Sequence, residues 1–171
     1  MIRFDPFLFS YVLVSSTMYG NWLPGDARGY VDEHDEYGMP FDESSEALEQ
    51  TVKNNMKESN VQFSAEQAET VFQRWQGTVG ELDGVFAVVA IMRNHFHFVA
   101  IFPGKITKAK LLQFFKGRAS RALNKRFGKR TWWTASGSVR YCFEEAAFRA
   151  RIEYVKKQKN PLVLWSNPDF E

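Results

Sequence analysis

Several residue types are scarce in this chain, and each scarcity excludes a class of protein. The single cysteine, Cys142, allows no internal disulfide, which excludes a small disulfide-stabilised scaffold and fits a reducing compartment. No apolar run approaches the roughly 20 residues of a membrane helix, because Arg93, His95 and His97 interrupt the longest candidate. The N-terminus lacks the basic region and cleavage site of a signal peptide. We therefore expect a cytoplasmic protein without a membrane partner.

Acidic residues are absent from residues 105–130, which hold ten lysines and arginines. The net charge is −9 over residues 1–104 and +11 over residues 105–171. A cationic block of this density either repels itself or faces phosphate, so it indicates a polyanion-binding surface. The simpler alternative is a solvated helix face. The candidate DNA contacts in this block are Lys108, Lys110, Lys116, Arg118 and Arg121.

The residues that are present describe one globular domain. Hydrophobic residues make up 44% of the chain and aromatic residues 16%, which is enough apolar mass for a packed core. A length of 171 residues suits one domain better than two, so we predict a single domain over residues 1–171.

The hydrophobic pattern predicts an α+β fold with a ferredoxin-like antiparallel sheet. We predict strands at 7–20, 84–92 and 95–102, a loop at 21–40 and an extended segment at 131–143. We predict helical sequence at 43–76, with Ser64 as an N-cap and Gly77 as a stop. A basic helix follows at 106–127, ended by Gly128, and a last helix at 144–160. Arg93 and Asn94 alone separate the second and third strands, which predicts a tight hairpin. The order β-α-β-β-α-β, with an added C-terminal helix, is typical of ferredoxin-like sheets.

Two of the three histidines lie in one predicted strand. Side chains alternate between the faces of a strand, so His95 and His97 point the same way while Phe96 and Phe98 point the other. Their backbones would lie about 6.5 to 7 Å apart, close enough for both rings to bind one ion. A lone histidine in such a run is more often a core residue, but a pair in phase favours a metal site. His34, in an acidic loop, is better interpreted as a surface residue.

The terminal helix offers a partner for the two histidines. Tyr154 and Gln158 are four residues apart, which places them one turn apart on one helix face. That pair would bring a phenolic nucleophile and an amide-oxygen ligand together. The alternative for Tyr154 is a packed aromatic residue, and Tyr141 is the other candidate nucleophile.

Three segments together resemble the HUH endonucleases. MRNHFHFV (92–99) resembles their His-hydrophobic-His block, in the M-P-N-H-x-H form of the single-tyrosine and REP-associated tyrosine transposases. EYVKKQKNP (153–161) resembles their C-terminal Y-x-x-x-N/Q helix, and YGNWLPGDARGYVD (19–32) resembles an N-terminal block of one branch. Arg93 replaces the usual proline of the turn and leaves the histidines intact.

The resemblance implies a role for each of these residues. It implies a divalent cation, Mg²⁺ or Mn²⁺, bound by His95, His97 and Gln158, with Tyr154 attacking a DNA phosphodiester to give a 5′-phosphotyrosine. It also implies single-stranded or hairpin DNA as the partner. The basic helix would then follow the backbone, and Trp22, or else Trp132 or Trp133, would stack on unpaired bases. A homodimer is left open.

Other functions fit the same residues. A replication initiator or relaxase would nick DNA by the same chemistry, although the short chain favours a transposase. A host-domesticated transposase would have the same sequence features as one that moves its own gene. A non-catalytic ferredoxin-like nucleic-acid binder would instead use the histidines to stack on bases.

Overall fold

The chain folds into one five-stranded sheet covered by helices on both faces. The computed structural model describes residues 4–21 and 45–170. Its elements, in chain order, are β1 (Phe9–Thr17), α1 (Glu46–Asn54), α2 (Ala65–Glu81), β2 (Val85–Ile91), β3 (His95–Pro103), α3 (Lys108–Phe127), β4 (Ser138–Cys142), α4 (Glu145–Lys156), β5 (Val163–Ser166) and a 3₁₀ turn (Pro168–Phe170). The predicted loop at 21–40, with Trp22 and His34, lies almost entirely outside the described residues.

The strand order confirms the predicted ferredoxin-like sheet. The order is β4-β1-β3-β2-β5, and every neighbouring pair is antiparallel. The tight β2–β3 hairpin is confirmed, with the N–H of Met92 donating to the carbonyl of His95 over 2.9 Å. The sequence did not predict β5, because a four-residue segment carries too little pattern to separate a strand from a tail.

Strand β3 lies at the centre of the sheet and divides the core into two layers. One layer lies between the sheet and helices α2 and α3 and contains Phe96, Phe98 and Trp75. The other lies between the sheet and α4 and contains Val99, with Phe148 from the helix. Because successive β3 side chains alternate between these layers, the strand is apolar on both faces over most of its length.

The helix ends follow local sequence signals with two exceptions. Ser64 caps α2 in a capping box with Gln67, as predicted. The predicted stop at Gly77 is wrong, because α2 continues to Glu81. The continued helix keeps Val79 buried, and this burial offsets the roughly 1 kcal/mol that a glycine inside a helix costs. Helix α4 ends at Lys156, four residues short of the predicted end. No helix among the described residues is long and apolar enough to cross a bilayer.

One cation of the basic helix points inward. Lys116 is only 8% exposed, and its ammonium group donates to the carbonyl of Thr134 over 2.9 Å and to that of Ser136. The hydroxyl of Ser16 in β1 donates to the same Ser136 carbonyl over 3.1 Å. Burial lowers the pKa of Lys116 to about 8, and the charge of Lys108 adds to the effect. Lys116 therefore ties α3 to the segment that leads into β4.

We expect Lys116→Met to destabilise the protein by about 1 to 3 kcal/mol, because the half-buried carbonyl of Thr134 loses its donor and that of Ser136 loses one of its donors, while the apolar stem is kept. The free energy of unfolding in urea measures this change. Lys110→Met, which alters an exposed lysine of the same helix, is the matched control and should change stability by less than about 0.5 kcal/mol. Equal stabilities for the two variants would contradict a structural role for Lys116.

Candidate active site between β1, β3 and α4

Both histidines of β3 face helix α4. His95 and His97 lie on the layer of Val99, while Phe96 and Phe98 are buried in the opposite layer, as strand alternation predicts. The two imidazole rings have centroids 5.2 Å apart and planes 77° apart. The structure therefore brings the two predicted metal ligands together at the end of the sheet where β3 begins.

Each histidine has its Nδ1 atom against a polar side chain. Nδ1 of His97 lies 2.6 Å from Oγ of Ser15, which is its direct cross-strand partner on β1. Nδ1 of His95 lies 2.6 Å from Oδ1 of Asn94, which is an acceptor, so this contact requires the proton to be on Nδ1 of His95. The hydroxyl of Ser15 can donate to Nδ1 of His97 or accept from it, and both contacts orient their rings.

His97 is electrically neutral at physiological pH. Burial, with a further contribution from the neighbouring His95, lowers the pKa of His97 from 6.5 to about 4. A neutral imidazole has a lone pair on one ring nitrogen, and this is the form that binds metal ions. The protonation state of His97 thus fits the ligand role predicted for it.

Tyr154 projects from α4 toward the histidines. The helix buries Phe148, Ile152 and Val155 against the sheet, and this spacing of four and three residues is that of one helix face. Tyr154 lies beside that face with its ring centroid 5.4 Å from the ring of His97, and its side chain is 49% exposed. The hydroxyl-bearing ring is therefore both near the histidines and partly open to solvent.

Gln158 lies just beyond the end of α4. Its backbone N–H donates to the carbonyl of Val155 and its side-chain Nε2 donates to the carbonyl of Tyr154, each over 3.2 Å. The side chain is thereby held against the same turn that carries Tyr154. No group of three or more His, Cys, Asp or Glu side chains within residues 4–21 and 45–170 is arranged to hold a metal, so a third protein ligand there would have to be of another type, such as the Gln158 amide.

The basic helix lies on the other side of the sheet from Tyr154. Helix α3 packs in the layer of Phe96 and Phe98, opposite the layer of α4. Lys108, Lys110 and Arg121 are exposed on it, whereas Arg118 pairs with Glu81 of α2 and lies 4.7 Å from the ring centroid of Phe114. A shallow depression between α2 and α3 is lined by Arg74, Arg118, Arg121, Ala122 and Lys125.

Three other aromatic candidates have structural contacts. Trp132 and Trp133 are buried in the core, and their indole N–H groups donate to Asn124 and Ser120 over 2.8 and 2.9 Å. Tyr141 donates its hydroxyl to the carbonyl of Ile106 over 2.7 Å, and partial burial raises its pKa. The two tryptophans are thus core residues in this structure, and Trp22 falls outside the described residues.

Ser15 is the site residue that the sequence did not single out. It follows a run of apolar residues in β1, and only the β1–β3 register reveals that it faces His97. The available signal was a serine in a strand of mostly buried apolar residues, but this signal does not show that His97 is the partner of Ser15.

Comparison with known proteins places this geometry in a known fold. No protein-family model and no curated protein matches the sequence. Among solved structures, the chain is similar to a REP-associated tyrosine transposase bound to a REP hairpin, with a TM-score of 0.50 and 7% sequence identity over 91% of this chain and 71% of that one. At this identity the similarity concerns the fold. The chain therefore has the α+β fold of a REP-associated tyrosine transposase, as the resemblance in its sequence implied.

Proposed function

We propose that this protein is a metal-dependent endonuclease and strand transferase for single-stranded DNA, acting as an HUH single-tyrosine transposase at hairpin or palindromic sites. The observation that carries the proposal is the contact of the Tyr154 ring with His97 of the histidine pair, within one chain. These three side chains come from two elements that are far apart in sequence. A solved structure with the same fold is a tyrosine transposase bound to a REP hairpin, which supports DNA as the partner.

Tyr154 supplies the nucleophile in the proposed reaction. Its phenolic oxygen forms a bond to the phosphorus of a DNA linkage, and the bond from phosphorus to the 3′ oxygen of the cut strand breaks. The phenolic proton leaves during the attack, and the 3′ oxygen takes up a proton as it departs. The product is a 5′-phosphotyrosine and a free 3′-hydroxyl. Attack of a 3′-hydroxyl on this phosphotyrosine reverses the step and rejoins DNA without ATP.

His95, His97 and Gln158 are the residues that would hold a divalent cation. The donor set fits such an ion, because His97 is neutral at physiological pH and an amide oxygen suits Mg²⁺ or Mn²⁺. A bound cation would withdraw charge from the phosphate and stabilise the charge that develops on it. The histidines' own contribution is a fixed position beside Tyr154, so that the phenol and the phosphate are brought together.

The cations of α3 would contact the DNA backbone away from the cleavage point. Lys108, Lys110 and Arg121 are exposed, and Arg74 and Lys125 extend the charge toward α2. Since α3 and Tyr154 lie on opposite faces of the sheet, DNA bound to both has to pass around an edge of the sheet. A hairpin with a single-stranded flank can do this, because the flank is flexible.

We expect the protein to bind one Mn²⁺ and to lose this site in the double variant His95→Ala/His97→Ala, because both nitrogen ligands are removed. Isothermal titration calorimetry with Mn²⁺ measures the binding. His34→Ala is the matched control, since it removes the remaining histidine of the chain. Unchanged Mn²⁺ binding by the double variant would exclude the histidine pair as the metal site.

We expect the affinity for single-stranded DNA to fall as the salt concentration rises, because four side chains would each contact a phosphate: Lys108, Lys110, Arg118 and Arg121. With roughly −0.7 per phosphate contact, the slope of log K against log salt should be about −2.8. Replacing Lys108, Lys110 and Arg121 by glutamine should make the slope shallower by about 2. Fluorescence anisotropy over a salt series gives the slopes, and Lys53→Gln/Lys57→Gln is the control on α1 and just after it. A slope near zero for the wild type would exclude this surface.

We expect Tyr154→Phe to abolish covalent capture of DNA while leaving the fold and DNA binding intact, because one hydroxyl is worth only about 1 kcal/mol. The measurement is the yield of a denaturation-resistant adduct with a labelled hairpin oligonucleotide and Mn²⁺. Tyr141→Phe removes the other candidate hydroxyl and should keep the adduct.

The outcomes of this experiment separate the alternatives. Undiminished adduct in Tyr154→Phe with loss in Tyr141→Phe would assign the nucleophile to Tyr141. Absence of any adduct in the wild type, with salt-dependent binding retained, would identify a non-catalytic nucleic-acid binder.

A further inference from the structure

Ser15 and His97 make a side-chain hydrogen bond across the β1–β3 pair. Ser15 and His97 are direct partners in the antiparallel β1–β3 ladder, so their side chains share a face. Oγ of Ser15 lies 2.6 Å from Nδ1 of His97, which is a short hydrogen bond for an oxygen and a nitrogen. Both side chains are half-buried.

The hydrogen bond selects one nitrogen of the imidazole. The ring has two nitrogens, and a ring engaged through Nδ1 has Nε2 left to bind an ion or a proton. Metal-binding histidines commonly make such a bond with their other nitrogen, and this bond holds the ring orientation and the tautomer. Ser15 occupies this position for His97, and it comes from a different strand than either histidine.

We propose that Ser15 is a positioning residue, which holds the His97 ring through Nδ1 so that Nε2 is the nitrogen directed to the metal beside Tyr154. The proposal rests on the metal site of the proposed function. Ser15 touches neither DNA nor the reacting atoms in this role; it acts through His97. Without the hydroxyl, the ring can rotate about its Cβ–Cγ bond, which puts Cδ2 in the place of Nδ1 and Cε1 in the place of Nε2, so a smaller fraction of the protein has Nε2 directed to the metal.

The chain offers a conservative variant and a matched control. Ser15→Thr keeps the hydroxyl and suits a strand, so it should retain the contact. Ser15→Ala removes the hydroxyl, and Ser15→Cys replaces it by a weaker hydrogen-bonding group. Ser138, on β4, is the partner of Ser15 on its other side, so Ser138→Ala removes a hydroxyl one strand further from His97.

Mn²⁺ affinity, measured by calorimetry with the metal alone, is the first readout. We expect Ser15→Ala to bind about tenfold more weakly than wild type, at the low end of the effect of removing such a partner. The Mn²⁺ affinity of Ser15→Cys should lie between those of Ser15→Ala and wild type. Ser15→Thr and Ser138→Ala should bind Mn²⁺ as tightly as wild type. The thermal unfolding midpoint, recorded for each variant, shows that each is folded under the assay conditions.

The second readout is the pair of ¹⁵N chemical shifts of His97 in the metal-free protein, which report the tautomer directly. Wild type, Ser15→Thr and Ser138→Ala should show mainly the tautomer that is protonated on Nδ1, and Ser15→Ala should shift toward the average of two. Unchanged His97 shifts or unchanged Mn²⁺ affinity in Ser15→Ala would overturn the proposal. An equal loss of affinity in Ser138→Ala would overturn it as well.

The two readouts also separate this proposal from the proposed function. If wild type bound no Mn²⁺, the metal site of the proposed function would be excluded, and Ser15 would have no metal to position. The shifts of His97 would then show whether the hydrogen bond forms, independently of any activity.

Discussion

The alternation of side chains along β3 is the constraint on which the rest of the structure depends. Phe96 and Phe98 are fully buried against Trp75 of α2, with ring centroids 4.7 and 5.4 Å from the indole. The indole N–H of Trp75 donates to the carbonyl of Phe115 over 2.9 Å, which ties α2 to α3 in the same layer. A slip of one residue in the pairing of β3 would reverse every side chain. The burial of these phenylalanines therefore directs His95 and His97 to the face of α4.

Helix α4 depends on the same strand from the other side. Its buried residues Phe148, Ile152 and Val155 pack in the layer of Val99, and this packing fixes the rotation of the helix about its axis. A helix turned by 100° would carry Tyr154 away from His97, since that is the angle between successive residues. The position of Tyr154 is thus set by apolar contacts that take no part in chemistry. The two layers place the histidine pair and Tyr154 on one face of the sheet and the exposed cations of α3 on the other.

The sequence predicted the parts of this arrangement that follow from local periodicity. The period of two in β3 was sufficient to place His95 and His97 together, and Ser64, predicted as an N-cap, marked the start of α2. Periodicity does not show which helix covers which face, so the separation of α3 from Tyr154 could not be predicted. Periodicity also treats all cations of a helix alike. Lys116 points inward because of the carbonyls of Thr134 and Ser136, which lie 18 and 20 residues further along the chain. Ser15 was missed for a related reason, because its role depends on the register between β1 and β3.

Polar residues interrupt the apolar pattern of β1 and β3 at one end of the sheet. Strand β1 is apolar on both faces from Val12 to Val14, and β3 is apolar from Phe98 to Phe102. Beyond these stretches the half-buried polar groups of Ser15 and His97 face each other. Burying such groups costs free energy unless each finds a partner, and the bond between Ser15 and His97 offsets that cost. An apolar pair at these positions would satisfy the fold equally well, because the neighbouring pair Leu13 and Val99 does so in the same layer. Folding alone therefore does not account for Ser15 and His97. Departures from a local pattern of this kind are expected where a structure serves chemistry, and here the departure lies beside Tyr154.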